Sequence, residues 1–209
     1  MEPMRSTGPS RVERTKLKIL KAAFELMAKN GVAGVTIQDV AKRAKTSHPL
    51  VTYHFDDMDL LYIGVLKQIL EEMRGATVAV LEMSHPNQKA LLKAYTQVLF
   101  YWGKKNQAKM RLWIYFYYLA SVHDDFRQFN DEIRKVGRAR ILSILTKGMA
   151  LGEFPKTDEK GLDDLSINIQ ALLTGHLIMC LSESGYSFDE AGRILSSQVQ
   201  TLVLGKACP

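Results

Sequence analysis

Cysteine is scarce in this 209-residue sequence, which contains only Cys180 and Cys208. Two cysteines cannot build a disulfide framework, and the sequence offers no cysteine and histidine spacing typical of a zinc site. Cys180 lies in an apolar segment and Cys208 lies beside the C-terminus. We therefore expect a packed core thiol and an unpaired terminal thiol, with no bound metal ion.

Long apolar runs and common catalytic motifs are also missing. No segment approaches the roughly 20 apolar residues that span a bilayer, and the opening residues MEPMRSTGPS lack the apolar centre of a signal peptide. The sequence therefore predicts a cytoplasmic protein with no membrane partner and a flexible basic N-terminal arm. Without a glycine-rich phosphate loop, a nucleophile elbow, an HExxH pair or a CxxC pair, we expect no catalytic residues and no cofactor.

Helical periodicity is what the sequence does contain, and it predicts an all-α fold of about nine helices. Two short helices are expected within residues 36–55. The other seven predicted helices cover residues 12–30, 58–83, 88–104, 109–123, 125–151, 159–184 and 188–204. We expect an N-terminal three-helix domain at 1–57 and a larger helical domain for ligand binding and dimerisation at 58–209.

The stretch TIQDVAKRAKTSHPLVTYHF, residues 36–55, is typical of a helix-turn-helix. Thr36 and Ser47 are good N-caps, and Pro49 follows within the first turn of the second helix. Val51 and Phe55, four residues apart, are the expected buried pair of that helix. The remaining residues, His48, Pro49, Thr52 and Tyr53, then face outward, and this mixture of polar and aromatic groups suits a DNA major groove.

The charge distribution favours the same interpretation. Residues 1–55 contain ten Lys and Arg against four Asp and Glu, a net charge of +6. The whole chain contains 28 against 22, so residues 56–209 balance at 18 of each sign. The excess positive charge therefore lies in the segment that carries the motif, as a phosphate-binding surface requires.

The pattern from about Thr15 to Leu61 resembles the DNA-binding domain of the tetracycline-repressor (TetR) family of bacterial transcription regulators. The matching residues are Ala22-Ala23-Phe24, Gly31, Thr36, Val40-Ala41, Ala44, Ser47, Tyr53-His54-Phe55 and Leu60-Leu61. Three positions depart from the family. Lys45 stands where a turn glycine is usual, Thr52 replaces a frequent tyrosine, and Met58 replaces a frequent phosphate-contacting lysine.

The resemblance implies which residues contact double-stranded operator DNA. Gln38 and His48 correspond to positions that contact base edges, Pro49 and Leu50 are expected near thymine methyl groups, and phosphate contacts include Tyr53. The full expected set is Thr36, Gln38, Thr46, Ser47, His48, Pro49, Leu50, Thr52, Tyr53 and His54.

The second domain is rich in large apolar side chains with a few polar tips, as a pocket for a mainly apolar or aromatic effector needs. The residues expected to bind this ligand are Tyr95, Phe100, Trp102, Trp113, Phe116, Tyr117, Met149, His176 and Met179. Plain packing of large residues is the alternative for the aromatic segment 113–118. His176 and Cys180, four residues apart, have no acid beside them in sequence, so helix packing or a pocket wall is expected there.

Residues 159–184 are apolar on more than one side, so a second copy of the chain is expected to cover part of that helix. Together with the last helix they predict a two-fold, four-helix interface, which the family resemblance also implies. The expected interface residues are Leu165, Leu172, Gly175, Met179, Leu195, Gln198 and Leu202.

These patterns predict a ligand-responsive transcriptional regulator, most simply a repressor, that binds a palindromic operator as a homodimer. Activation of transcription is not excluded. A ligand-independent architectural or cell-division factor that binds DNA is the alternative, and a helical interaction module without DNA is disfavoured by His48, Tyr53 and the localised charge.

Overall fold

The computed structural model describes residues 10–205, and within that range it contains nine α-helices and no strand. The predicted N-terminal arm and Cys208 lie outside the described residues, except for Ser10. The helices are α1 (Arg11–Asn30), α2 (Ile37–Arg43), α3 (His48–His54), α4 (Met58–Glu82), α5 (Gln88–Lys105), α6 (Gln107–Val122), α7 (Asp124–Ala150), α8 (Glu159–Ser182) and α9 (Phe188–Leu204). The all-α prediction, with a helix-turn-helix followed by a larger helical region, is confirmed.

Capping residues explain where most of these helices begin. The Thr36 hydroxyl accepts from the Asp39 backbone amide, and the Asp39 carboxylate accepts from Thr36 in return. These hydrogen bonds from Thr36 hold the pKa of Asp39 below its usual value. Ser47, Asn87 and Ser187 cap α3, α5 and α9 in the same way, each accepting from an amide of the first turn.

The chain divides into two compact units between Leu70 and Glu71, inside α4. In the first unit α1, α2, α3 and the first half of α4 share a core that includes Ile19, Val40, Val51 and Leu61, each fully buried. Leu17 shares a helical spacing with Leu20 and Met27 but is 50% exposed. The apolar repeat of α1 is centred instead on Ile19, Ala22, Ala23 and Met27.

The core of the second unit is built by α5, α7, α8 and α9. Phe154, in the turn between α7 and α8, belongs to this core. Its ring packs directly on Gly148, at the place where a Cβ on that glycine would stand. The Glu153 carboxylate of the same turn accepts hydrogen bonds from the backbone amides of Gln88 (2.6 Å) and Lys89 (3.3 Å). The sequence GEFP therefore joins the end of α7 to the start of α5.

Helix α8 corrects one expectation. An 18-residue window of Glu159–Ser182 is long and apolar enough to cross a membrane by length and composition. The expectation that no segment reaches this threshold is wrong. A single helix of this kind also fits the core or the subunit contact of a helical protein.

Candidate nucleic-acid interface and subunit face

One side of α3 is buried and the other side is exposed. Val51 is fully buried and Phe55, directly after the helix, is 6% exposed, so this pair anchors α3 as predicted. His48, Pro49 and Leu50 are exposed in the first turn, and Tyr53 is 75% exposed. A short helix fixed by two apolar anchors therefore presents a continuous outward face of donors, a proline and an aromatic ring.

The turn before α3 depends on an unusual backbone conformation. Lys45 has φ 49°, the only positive φ of a non-glycine residue among those described. Its amide and that of Thr46 donate to the carbonyls of Lys42 (3.2 Å) and Ala41 (3.0 Å), which closes the turn. The departure from glycine at this position therefore places a lysine in the left-handed region.

Two residues expected to contact DNA are already engaged within their own helices. The Thr36 hydroxyl donates to the Asp39 carboxylate at 2.6 Å, and the Thr52 hydroxyl donates to the carbonyls of His48 (3.3 Å) and Pro49 (3.1 Å). Each oxygen can still accept a hydrogen bond, but its proton is committed. Gln38 and Ser47 are exposed, while Thr46 and His54 are half-buried.

The positive charge of this unit is partly neutralised. The Arg43 guanidinium forms an ion pair with Glu25 of α1. Lys42 and Lys45, by contrast, are exposed and form no ion pair within residues 10–205, although the charge of Lys42 acts on Asp39. These two lysines flank the turn that leads into α3.

The residues expected to bind a ligand lie in three separate places. Tyr95, Phe100 and Met149 belong to the core cluster of the second unit, with Trp102 packed against it. Trp113, Phe116 and Tyr117 instead form an aromatic cluster on α6 with Phe126 and Phe129 of α7, with Trp113 and Phe116 ring centroids 5.2 Å apart. The sequence therefore predicted one pocket where the structure has two separate groups of large side chains and an isolated histidine.

His176 is that histidine, and it lies in the contact between α8 and α9. It is 7% exposed; its Nε2 donates to Gln198 Oε1 (2.7 Å) and its Nδ1 accepts from the Tyr186 hydroxyl (2.5 Å). Burial raises the pKa of Tyr186, which also stacks on the imidazole. Both ring nitrogens are occupied, so His176 holds two helices together and has no free nitrogen for a ligand. Cys180 is half-buried, and burial raises the pKa of its thiol to about 11.

Sequence reasoning missed a polar group among the large side chains of the second unit. Arg140 of α7 donates to the Thr77 hydroxyl at 2.9 Å and lies next to the buried Tyr95. Burial raises the pKa of Tyr95, and the Arg140 charge partly opposes that shift. Arg140 forms no ion pair within residues 10–205. No sequence spacing distinguishes Arg140 from the other basic residues of α7.

The residues expected at the subunit interface are also divided by the structure. Leu195 is fully buried in the core cluster of its own chain, so its assignment to an interface is wrong. Leu165 and Leu172 pack partly against the same cluster, Met179 is half-buried, and Gln198 holds His176. Gly175 and Leu202 are exposed.

A different set of α8 residues forms the exposed apolar face. Ile167 is 43% exposed and Ile178 is 37% exposed, with exposed Ala171 and Gly175 between them. Their spacing of four, four and three residues places all four on one side of the helix. Nothing lies within 4 Å of the position a Cβ on Gly175 would take. This spacing is present in the sequence. Because α8 carries apolar residues on its other sides as well, periodicity alone does not distinguish this face.

Residues 19–65 match the family model of the bacterial regulatory proteins of the tetR family. The chain is similar to the HTH-type transcriptional regulator BetI of Stenotrophomonas maltophilia, with 28% identity over 58% of this chain and 59% of that protein. It is also similar to the HTH-type transcriptional repressor NicS of Pseudomonas putida, with 31% identity over 40% of this chain and 41% of that protein. The matched segments thus span about half the length of these curated relatives.

A solved structure matches over nearly the whole chain. The regulator from Saccharomonospora viridis, crystallised with choline, superposes with a TM-score of 0.79 over 92% of this chain and 99% of that chain, at 18% identity. At this identity the likeness concerns the fold alone. The family model covers α2, α3 and most of α1, and the fold extends to the rest of the chain. Residues 19–65, which carry the helix-turn-helix, therefore match the tetR family of bacterial regulatory proteins.

Proposed function

We propose that this protein is a transcriptional repressor that binds a palindromic operator as a homodimer and releases it when a small effector binds. The observation that carries the proposal is α3, which is anchored by Val51 and Phe55 and presents His48, Pro49, Leu50 and Tyr53 outward. Both similar proteins are HTH-type transcriptional regulators, and NicS is named a repressor. Nothing in this comparison points to an enzyme.

In this proposal, Gln38 and His48 contact base edges, while Tyr53 and the exposed Lys42 and Lys45 contact phosphates. Side chains that reach base edges in the major groove determine sequence preference, and phosphate contacts add affinity for any sequence. The net charge of +6 in residues 1–55 supports the phosphate-binding role.

The homodimer is supported by the exposed face of α8 formed by Ile167, Ala171, Gly175 and Ile178, with Leu202 of α9. Four small or branched apolar residues in line allow a second helix to pack closely, with Gly175 leaving room for its backbone. Two copies related by a two-fold axis would present two α3 helices to one palindrome.

The effector is proposed to bind in the second unit among the aromatic residues of α6. Trp113 donates from its indole nitrogen to the Tyr117 hydroxyl at 3.3 Å, and Phe116 packs between the rings of α6 and α7. Such a cluster suits an apolar or aromatic molecule. Because the S. viridis regulator was crystallised with choline, a quaternary ammonium compound also belongs among the first effectors to test.

Selection from a random double-stranded DNA library tests the DNA-binding part of this proposal. We expect enrichment of a palindrome whose half-site centres are about one helical turn apart, roughly 34–36 Å. On that DNA, His48→Ala should cost about 1–3 kcal/mol of binding free energy and relax the preference at one base pair per half-site. Tyr53→Phe should weaken binding to all DNA sequences about equally.

His123→Ala, which removes an exposed histidine from the second unit, is the matched control and should leave affinity unchanged. If no sequence is enriched, the proposed function is wrong. If enrichment occurs but His48→Ala changes neither affinity nor base preference, α3 meets the groove in a different register.

A further inference from the structure

A cavity lies between α5 and α9, beside Phe154. The two helices are antiparallel, since Phe100 lies against Gly192 and Gly103 lies against Phe188. The cavity has a volume of about 370 Å³. That volume falls in the range of roughly 300–1,000 Å³ that is usual for small-molecule pockets. None of the nine residues expected to bind the effector lines it.

The charged residues that line this cavity are all basic. Lys89 and Lys93, one turn apart on α5, and Arg193 on α9 all contribute to its wall, and no acidic residue does. The two lysine ammonium groups have no hydrogen-bond partner among the residues described. Arg193 has only a loose exposed contact with Glu190, at 3.9 Å. Glu153 is occupied by the backbone amides at the start of α5.

The other lining residues are either apolar or polar and neutral. The apolar side chains are Leu92, Phe154, Val199, Val203 and Leu204. The neutral polar side chains are Thr96, Gln97, Ser196, Ser197 and Gln200. Leu92, Phe154 and Val199 are at most 4% exposed, so the apolar wall is a fixed part of the core. A ligand there would meet cations and an apolar surface together.

We propose that this cavity is a second small-molecule site, which binds an amphipathic organic anion. The carboxylate contacts Lys89 and Lys93, and the aliphatic chain lies along Leu92, Val199 and Val203. The two unpaired lysines, with Arg193 nearby, make an anionic group favourable, and burial of the chain on the apolar wall supplies the remaining affinity. The site is distinct from the aromatic cluster of α6 and does not depend on the proposed effector response.

Isothermal titration of the full chain with octanoate, compared with uncharged octanamide, tests this site. Octanoate should bind at least about tenfold more tightly than octanamide, and added salt should narrow the difference. Lys89→Gln combined with Lys93→Gln should weaken octanoate binding about tenfold, since each exposed charge contributes modestly. The control pair Lys105→Gln and Lys135→Gln removes the same charge from exposed positions outside the cavity and should change binding less than about twofold.

Melting temperatures show whether the double variant is folded. The charge-preserving pair Lys89→Arg and Lys93→Arg should keep octanoate binding and provides a second variant. The proposal is wrong if wild-type protein does not bind octanoate at millimolar concentration, if octanamide binds equally well, or if the two lysine pairs weaken binding equally. It is also wrong if Trp113→Phe abolishes binding while the Lys89 and Lys93 variants retain it, because octanoate would then occupy the α6 cluster.

Discussion

At the scale of single residues, Lys45 carries the clearest local strain, because it adopts φ 49° in the turn before α3. A side chain in the left-handed region costs about 1–2 kcal/mol, which glycine avoids. Glycine also has more freedom in the unfolded chain, so the net gain from Lys45→Gly should be smaller, at most about 1 kcal/mol. Urea unfolding should therefore show that Lys45→Gly stabilises the protein.

Lys42→Gly is the control for this measurement, because Lys42 is also exposed but belongs to the last turn of α2. Glycine in a helix costs up to about 1 kcal/mol. The two substitutions should therefore change stability in opposite directions. Equal destabilisation by both would show that the turn does not strain Lys45.

Single residues are also where the sequence was least informative. Thr36 and Ser47 were readable as caps because capping depends on neighbours within three residues. Leu195 was misplaced, because helical spacing identifies an apolar side but not the partner that covers it. His176 was read as a ligand contact, since nothing in sequence placed Tyr186 and Gln198 at its two nitrogens.

At the scale of helices, the exposed apolar face of α8 leads to a prediction about dimerisation. Ile178→Glu places a charge on that face, and burying an unpaired charge between two copies would be costly. We expect this variant to sediment as a folded monomer and to lose operator affinity, although α3 is unchanged. Analytical ultracentrifugation measures the first effect, and fluorescence anisotropy with the selected DNA measures the second.

Val136→Glu is the matched control, because Val136 is 52% exposed on α7 and should tolerate a charge without dissociation. Leu195→Glu should instead unfold the protein, since its side chain is fully buried. A dimer that survives Ile178→Glu would place the interface on another surface.

The bounds of whole helices were predictable from sequence, because caps, Gly31 and the Pro86 and Gly152 turns punctuate the chain. The contacts between helices were not. The GEFP turn shows why, since the hydrogen bonds of Glu153 to α5 join residues more than sixty positions apart. Periodicity within one helix contains no information about such a partner.

At the scale of the whole molecule, the proposed function requires that effector and operator binding be coupled. A hundredfold loss of operator affinity needs about 2.7 kcal/mol of coupling, and the operator must weaken effector binding by the same factor. With Trp102→Phe as background, Trp113 emission should report the effector, since this residue is the remaining tryptophan. Titrations with and without operator DNA should give dissociation constants that differ by that factor.

Tyr117→Phe removes the hydroxyl that accepts from Trp113 and should weaken the effector without changing DNA binding in its absence. Tyr118→Phe, an exposed position on the same helix, is its control. If a screen of apolar, aromatic and quaternary ammonium compounds neither changes Trp113 emission nor releases DNA, the ligand-independent DNA-binding factor becomes the better description.

The net charge of a long segment did not indicate the charge of a single surface within it. Residues 56–209 balance at 18 charges of each sign, so their net charge does not favour a charged ligand. The cavity between α5 and α9 nevertheless gathers three cations and no acid. Neutrality of a long segment therefore does not imply neutrality of any one surface on it.

The position of Gly64 has a consequence for how the chain can be dissected. A Cβ on Gly64 would stand 2.8 Å from both Leu20 and Phe55, so α4 packs closely on α1 and on the end of α3. Leu61, Tyr62 and Val65, all on the first half of α4, are at most 1% exposed. A polypeptide that stops before Met58 lacks these side chains and leaves the inner faces of α1 and α3 open to water. The smallest segment that contains its own complete core therefore ends near Leu70, part of the way along a continuous helix.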